Sequence, residues 1–380
     1  MYILLVIALI PILIHITGNN HVYKTVRLTI GMGSLSPSLF EYKYFPGALI
    51  ESGTPQPWPV SREYNAVGLT PEEASFHEEY RSLAFVLIRK DSILFESYWD
   101  AEDTTWSNSF SMAKSFIAMA LGAAIQDGLI QSIDELVGNY LPEFAEAPND
   151  VLSIRHLLSM SSGIPYPESY INPFGFVAKL NYGTDIRSLV LSKSVEEEPG
   201  KYFHYSGANT QLLGMVIEAA TGMPFDQYFQ ESIWQHIGAQ REAYWSYDRK
   251  DGMAKASCCF NSNARDMAKL GKLMMDGGSW NGAQLIDPDF VKEAVVPADI
   301  LEKNGSPCVR YGLQWWVGNF SGKETFYARG INGQYVVCIP EEDLILVRLG
   351  WRRSGDRVAG HPLDLYELVE SALRIGGSKS

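Results

Sequence analysis

The sequence predicts an α+β fold in which one antiparallel sheet, assembled from N-terminal and C-terminal segments, is flanked by helices and carries a mostly helical insertion. Two observations lead there. β-type runs gather near both ends of the chain, and helical apolar periodicity fills the region between them. No internal repeat interrupts this order, and 380 residues suffice for one large core or two modest ones.

In chain order, Tyr2–Ile14 (YILLVIALIPILI) is apolar and uncharged. It reads as the hydrophobic region of an export signal or as an uncleaved anchor. No Lys or Arg precedes it and no small-x-small cleavage site follows. Residues 1–30 are therefore set apart as a signal or membrane-anchor segment. Residues 31–65, rich in Gly, Pro and Ser, read as a linker or an extended arm over the surface. The remaining 66–380 form the domain. Leu83–Ile88, a polar turn over 89–92, and Ile93–Tyr98 read as a hairpin. Phe116–Ile125 is apolar nearly all round, which marks a helix buried within the domain, stopped at Asp127-Gly128. Further helices are expected at Ile154–Met160, Asn209–Ala220 (ended by Gly222) and Ala264–Met275. Strands then return at Tyr311–Val317, Thr325–Ala328, Gln334–Ile339 and Leu344–Leu349, the last two joined by a turn over 340–343. Leu363–Ile375 closes the chain as an amphipathic helix.

Composition narrows the function. Hydrophobic residues at 46% and charged residues at 20% fit an ordinary globular protein rather than a disordered or multi-span one. A net charge of −13 with no Lys/Arg run excludes a nucleic-acid partner and disfavours a polyanionic substrate. The four cysteines, Cys258, Cys259, Cys308 and Cys338, show no metal-ligand spacing, so a structural zinc site is not expected; no metal or organic cofactor is implied elsewhere in the sequence. Adjacent Cys258 and Cys259 read as two small buried hydrophobes rather than a redox pair. A bridge from either to Cys308 or Cys338 stays open in an oxidising compartment.

Three elements carry chemistry. Ser111-Met112-Ala113-Lys114 stands at the start of the buried helix, after Ser109 as a candidate N-cap. Three residues apart on a helix, a hydroxyl and an amine share one face. A serine is a poor nucleophile until a base takes its proton, and the helix start aims backbone N–H groups at an oxyanion. Ser-x-x-Lys alone usually means an exposed helix turn; a lysine at the head of an all-apolar helix needs another reason. Phe203-His204-Tyr205-Ser206-Gly207 precedes a helix and can present the Tyr205 phenol to a cleft, although a lone tyrosine is more often packing. Ala328-Arg329-Gly330-Ile331-Asn332-Gly333-Gln334 can bring backbone close to a ligand and supply a further oxyanion donor; its plain reading is a Gly-rich turn between strands.

Together these motifs resemble the serine β-lactamase and penicillin-binding protein superfamily, over about Ala66 to Ile375. Ile154–Ile164 (IRHLLSMSSGI), Gln211-Leu212-Leu213-Gly214 and Glu218 add to the resemblance. It is nearest to the class C-like branch that includes esterases, D-aminopeptidase-like enzymes and nylon-oligomer hydrolases. The resemblance implies the β-lactamase/transpeptidase-like fold, with Ser111 as nucleophile, Lys114 as its base and Tyr205 as acid/base partner. It further implies the N–H groups of Ser111 and Ile331 as oxyanion donors and Tyr170 as a substrate contact. Two departures matter. The family's Tyr-x-Asn is here Tyr205-Ser206-Gly207, and its Lys/His-Thr/Ser/Gly-Gly is Ala328-Arg329-Gly330, with Arg329 a candidate replacement cation. Both shift the expectation away from antibiotic hydrolysis.

The resulting expectation is a serine hydrolase that cleaves a small amide or ester through an acyl-enzyme on Ser111. The alternatives are a β-lactamase or D-amino-acid peptidase within the same chemistry, and a non-catalytic or slowly acylating penicillin-binding sensor module. The expected location is exported, periplasmic or anchored on the outer face of the cytoplasmic membrane.

Overall fold

The computed structural model describes residues 11, 13–29, 36–169 and 171–377. Most of the apolar N-terminal run, residues 1–10 and 12, and the substrate-contact candidate Tyr170 lie outside them. In chain order the elements that position the site are helix α1 (His21–Leu28) and strand β1 (Gly47–Ile50), then α2 (Pro71–Glu79) and the hairpin β2 (Ser82–Arg89) and β3 (Ser92–Tyr98). The middle holds β4 (Ser107–Asn108), α3 (Ala113–Gln126), α4 (Ile154–Leu158), α5 (Phe176–Tyr182), α6 (Gly207–Thr221), β5 (Ala243–Ser246), β6 (Phe260–Ser262) and α7 (Ala264–Met275). The C-terminal third supplies β7 (Trp316–Phe320), β8 (Lys323–Gly330), β9 (Gln334–Ile339), β10 (Leu344–Gly350) and α8 (Leu363–Ile375).

The six-stranded sheet has the order β3-β2-β10-β9-β8-β7, with every neighbouring pair antiparallel. Both ends of the chain therefore build one sheet, joined where β2 pairs with β10 from Arg89↔Leu344 to Ala84↔Leu349. Its central strands are buried on both faces, and their period of two sends alternate side chains to opposite sides. Val86, Val336 and Val347 join the core that contains α3 and α7; Phe85, Val337 and Leu346 join the core under α8. α7 lies close enough to the sheet that a Cβ on Gly271 would stand 2.9 Å from Val336.

α3 is the axis of the other layer. Twelve of its fourteen residues are buried, including Phe116, Ile117 and Leu121, and each large apolar side chain so removed from water contributes roughly 1.5–3 kcal/mol. A helix apolar all round has to lie inside a domain. It stops at Gly128, where φ of +71° is tolerated without a side-chain penalty.

Three expectations change on contact with the structure; the N-terminal signal or anchor expectation is not among them, because most of that run lies outside the described residues. The stretch 31–65 is no free linker over its described part: Leu39 is fully buried, and β1 pairs with β5 in a second sheet of order β1-β5-β6-β4. The strand expected at Tyr311–Val317 forms only from Trp316, because Gln314 turns back with φ of +63° and its amide donates to the Leu157 and Leu158 carbonyls. Ser109 does not cap α3; a 3₁₀ turn at Phe110–Met112 precedes the helix, and the Phe110 N–H is held by Asn108 Oδ1 at 2.8 Å. No helix among the described residues is long and apolar enough to cross a membrane.

One buried cluster beside the sheet sets an acid limit on stability. The His77 ring is 1% exposed, stacked on Trp99 at 4.7 Å, with Nδ1 2.8 Å from Ser82 Oγ. Ser82 also accepts from Arg348 Nε at 3.1 Å, so its proton points to His77. Burial, reinforced by the Arg348 charge, pulls the His77 imidazole down to about 3 from 6.5. The unfolded chain therefore takes up this proton first as pH falls. The contribution to stability is complete above pH 6.5 and is lost progressively towards pH 3, amounting to about 3 kcal/mol between roughly pH 7 and pH 4. Urea midpoints at these two pH values should differ more for the wild type than for His77→Gln; equal differences would contradict the assignment.

Candidate active site

The site forms where the start of α3, the loop before α6 and the end of β8 converge. Ser111 sits in the 3₁₀ turn Phe110–Met112, and Phe110, immediately before it, has φ of +45°. A bulky residue in the left-handed region costs of order 1–3 kcal/mol and persists only where its surroundings hold it. Here they do, through the Asn108 amide oxygen on the Phe110 N–H and the Ser109 N–H on the Phe260 carbonyl at 2.8 Å.

Lys114, one turn later, is 3% exposed. Its Nζ lies 3.0 Å from Ser111 Oγ and 2.8 Å from the Ser257 carbonyl. It also stands 5.2 Å from the centre of the Tyr205 ring. The three residues that the motifs singled out are thus brought together in space. Tyr205 is fixed by its neighbours. The His204 N–H donates to the Met160 carbonyl at 2.7 Å, the His204 ring contacts the Tyr166 carbonyl at 2.8 Å, and the Ser206 N–H reaches Met160 Sδ at 3.4 Å. This explains why the segment 154–164 accompanies the tyrosine: it is the cradle of the loop that carries it.

β8 outruns β7, whose last pair is Trp316↔Tyr327, so Ala328–Gly330 have no strand on that side. They face the Ser111 turn instead. A Cβ on Gly330 would stand 2.3 Å from the Ser109 carbonyl, so only glycine permits this approach. The following turn, Ile331–Gly333, is fixed from beneath by Arg348. That fully buried guanidinium donates to the carbonyls of Asn332 (3.0 Å), Gly333 (2.9 Å), Arg352 (2.8 Å) and Tyr80 (2.7 Å). Burial lowers its pKa to about 10. Arg329 is not a solvated strand end. Its guanidinium lies 3.3 Å from the Trp316 ring centre, and Trp316 in turn packs on Tyr205 at 5.6 Å. Its Nη1 is buried and, among the described residues, meets no acceptor.

A narrow cavity of about 50 Å³ opens beside Ser111 and Lys114, walled by Phe110, Val177, Leu180, Tyr182, Ile331 and the cysteine pair. Motif reading missed much of this wall, because it comes from segments without motifs. Ser36 and Pro37 of the N-terminal arm bond to the Asn332 side chain, at 2.6 and 3.1 Å. Glu41 from the same arm lines the cavity while 5% exposed. Burial raises its carboxyl from the usual range, and burial together with Lys24 lowers the nearby Lys255 ammonium. Glu168 also lines the cavity, its carboxylate accepting from the Gly207 N–H at 3.3 Å. A larger open cleft of about 700 Å³ lies elsewhere, around Tyr42, Trp106 and Arg241, and holds none of the three motif residues.

Cys258 and Cys259 correct the sequence reading. They are buried, at 7% and 4% exposure, but bonded to each other rather than merely packed. A left-handed Cys259, φ +73°, turns the chain so that both sulfurs meet. Cys308 and Cys338 are buried free thiols, and burial pushes the Cys308 thiol up to about 11. Among the described residues no group of His, Cys, Asp and Glu is arranged to hold a metal ion.

Comparison with known proteins agrees with this architecture. Over 294 residues the chain is 27% identical to the 6-aminohexanoate-dimer hydrolase of Paenarthrobacter ureafaciens, covering 72% of this chain and 73% of that protein. It is 22% identical to a putative D-alanyl-D-alanine carboxypeptidase of Escherichia coli (strain K12), over 74% of this chain and 84% of the other. Among solved structures, a putative 6-aminohexanoate-dimer hydrolase from Bacillus anthracis superposes with a TM-score of 0.71 at 17% identity, covering 90% of this chain and 94% of its own. A family VIII carboxylesterase superposes with 0.61 at 18% identity, covering 80% and 98%. Both structures share the fold. The family described as Beta-lactamase matches residues 72–365, which span both halves of the sheet, the Ser111 turn and Tyr205, and the chain belongs to that family.

Proposed function

We propose that the chain hydrolyses a small amide or ester through an acyl-enzyme on Ser111. The observation that carries this is the buried Lys114 Nζ, 3.0 Å from Ser111 Oγ and held at the same time by the Ser257 carbonyl. In its neutral form, an amine so placed accepts the serine proton as Oγ attacks the substrate carbonyl. The N–H groups of Ser111 and Ile331 are the proposed donors to the oxyanion. Tyr205, whose ring centre lies 5.2 Å from the Lys114 amine, would pass the proton to the leaving group and then draw one from the attacking water. Arg329, with its unpaired Nη1, is the proposed contact for a polar or anionic end of the substrate; Tyr170 is proposed as a further contact.

The likeness to a 6-aminohexanoate-dimer hydrolase and to a family VIII carboxylesterase supports an amide or ester substrate. The adjacent disulfide supports an exported location, since such bonds persist in oxidising compartments. The test is labelling by a fluorophosphonate together with turnover of p-nitrophenyl esters and linear amide oligomers. Wild type should label and turn over, and Ser111→Ala should do neither. Wild-type turnover that survives in Ser111→Ala would remove the proposal.

A further inference from the structure

The segment Ser257-Cys258-Cys259 touches the catalytic apparatus at one atom, the Ser257 carbonyl, which accepts from Lys114 Nζ at 2.8 Å. The other carbonyls of the segment are tied to the scaffold. That of Cys258 accepts from Trp245 Nε1 at 3.2 Å, and that of Cys259 from the Ser246 N–H at 3.0 Å and Asn261 Nδ2 at 2.8 Å. Cys259 sits at φ +73°, a conformation that L residues other than glycine, Asn and Asp rarely adopt. A covalent link between the neighbouring side chains limits the conformations open to this pair. Without it, only the hydrogen bonds to the Cys258 and Cys259 carbonyls oppose a return of Cys259 to the ordinary extended and helical regions, a change that would shift the neighbouring Ser257 carbonyl. Both cysteines also line the cavity beside Ser111, which gives a small reagent a route to them.

We propose that the Cys258–Cys259 bridge is a positioning element of the active site, which holds Lys114 at its working distance from Ser111 through the Ser257 carbonyl. The inference rests on the acyl-enzyme reading above. Opening the bridge with a dithiol is a balanced exchange. One reductant thiolate attacks a sulfur of the bridge, the Cys258–Cys259 bond breaks, and the second reductant thiol closes on the mixed disulfide. Two electrons and two protons pass to the cysteines, leaving two thiols here and one cyclic disulfide in the reductant. Cys308 and Cys338 are already thiols and are unchanged by reduction.

The experiment uses the full chain, purified without reductant. Alkylation before reduction, read by mass spectrometry of the 255–265 region, should find both cysteines unmodified and two mass units lighter than the dithiol. After dithiothreitol treatment, kcat for p-nitrophenyl acetate and the rate of fluorophosphonate labelling should each fall by roughly 10- to 100-fold, the effect of displacing a catalytic group by about an ångström. KM should change less than about threefold, since the uniform binding of so small a substrate does not depend on Lys114. Reoxidation should restore the rate. The double variant Cys258→Ser, Cys259→Ser should be slow from the outset and indifferent to dithiothreitol. Unchanged kcat in the reduced wild type, whose folding is checked by its circular dichroism, would overturn the inference, as would two alkylated thiols in the untreated protein. Failure of the underlying hydrolase reading looks different: the oxidised protein itself would then neither label nor turn over in a Ser111-dependent way.

Discussion

Lys114→Met lowers kcat for ester hydrolysis by roughly 10²- to 10⁴-fold, the range contributed by a positioned general base, which corresponds to about 3–5.5 kcal/mol of barrier. The substitution keeps the length and apolar stem of the side chain while removing the amine that touches both Ser111 Oγ and the Ser257 carbonyl. It also leaves the Ser257 carbonyl without that donor, at a stability loss of about 1–3 kcal/mol. The informative control is Lys114→Arg. Arginine supplies a cation and donors to Ser257 but stays protonated throughout the working pH range, so it cannot take the serine proton. Lys114→Arg should therefore fail as badly as Lys114→Met. Recovery of activity in Lys114→Arg would mean that position 114 acts through its charge alone, and the base would have to be sought elsewhere.

Arg348→Met should produce the largest fall in stability of any single substitution proposed for this chain. The residue is fully buried on β10 and donates to four backbone carbonyls and the Ser82 hydroxyl. Methionine matches its length but donates nothing. Each acceptor left buried and unpaired costs about 1–3 kcal/mol. Even with partial relaxation the loss should exceed about 4 kcal/mol, a large share of the 5–15 kcal/mol that holds a typical protein folded. Because two of the carbonyls belong to Asn332 and Gly333, the turn after Gly330 should loosen before the rest. Guanidinium titration followed by tryptophan fluorescence measures the first effect, and amide exchange at 331–334 the second. Wild-type-like values in both would show that water substitutes for the guanidinium.

The sequence made the chemistry more legible than the walls around it. Ser111, Lys114, Tyr205 and Gly330 could be singled out as candidates because each is tied to a local requirement: a helix face, a turn before a helix, a close backbone approach. The strands β2, β3, β9 and β10 and the helices α3, α6 and α7 were legible for a similar reason, since period and stop signals are local. β1, β4, β5 and β6 were not. They are two to four residues long and exist because distant segments pair, which no window of sequence records. Glu41 and Pro37 reach the cavity only because the N-terminal arm packs across the domain. Nothing in the sequence marks Arg348 within the run Leu344–Leu349, and its five acceptors, spread from Tyr80 to Arg352, appear only in the folded chain. The cysteine pair was misjudged because hydrophobic burial and covalent pairing leave the same mark in composition; the backbone turn at Cys259 separates them.

The most direct test of the central claim is to trap the intermediate. Incubation with a slowly turned-over acyl donor such as a p-nitrophenyl ester, acid quenching within the first turnover and peptide mapping by mass spectrometry should place one acyl group on the peptide that contains Ser111. The adduct should form in wild type and vanish in Ser111→Ala. An acyl group on any other residue, or ester hydrolysis that proceeds undiminished in Ser111→Ala, would contradict the account.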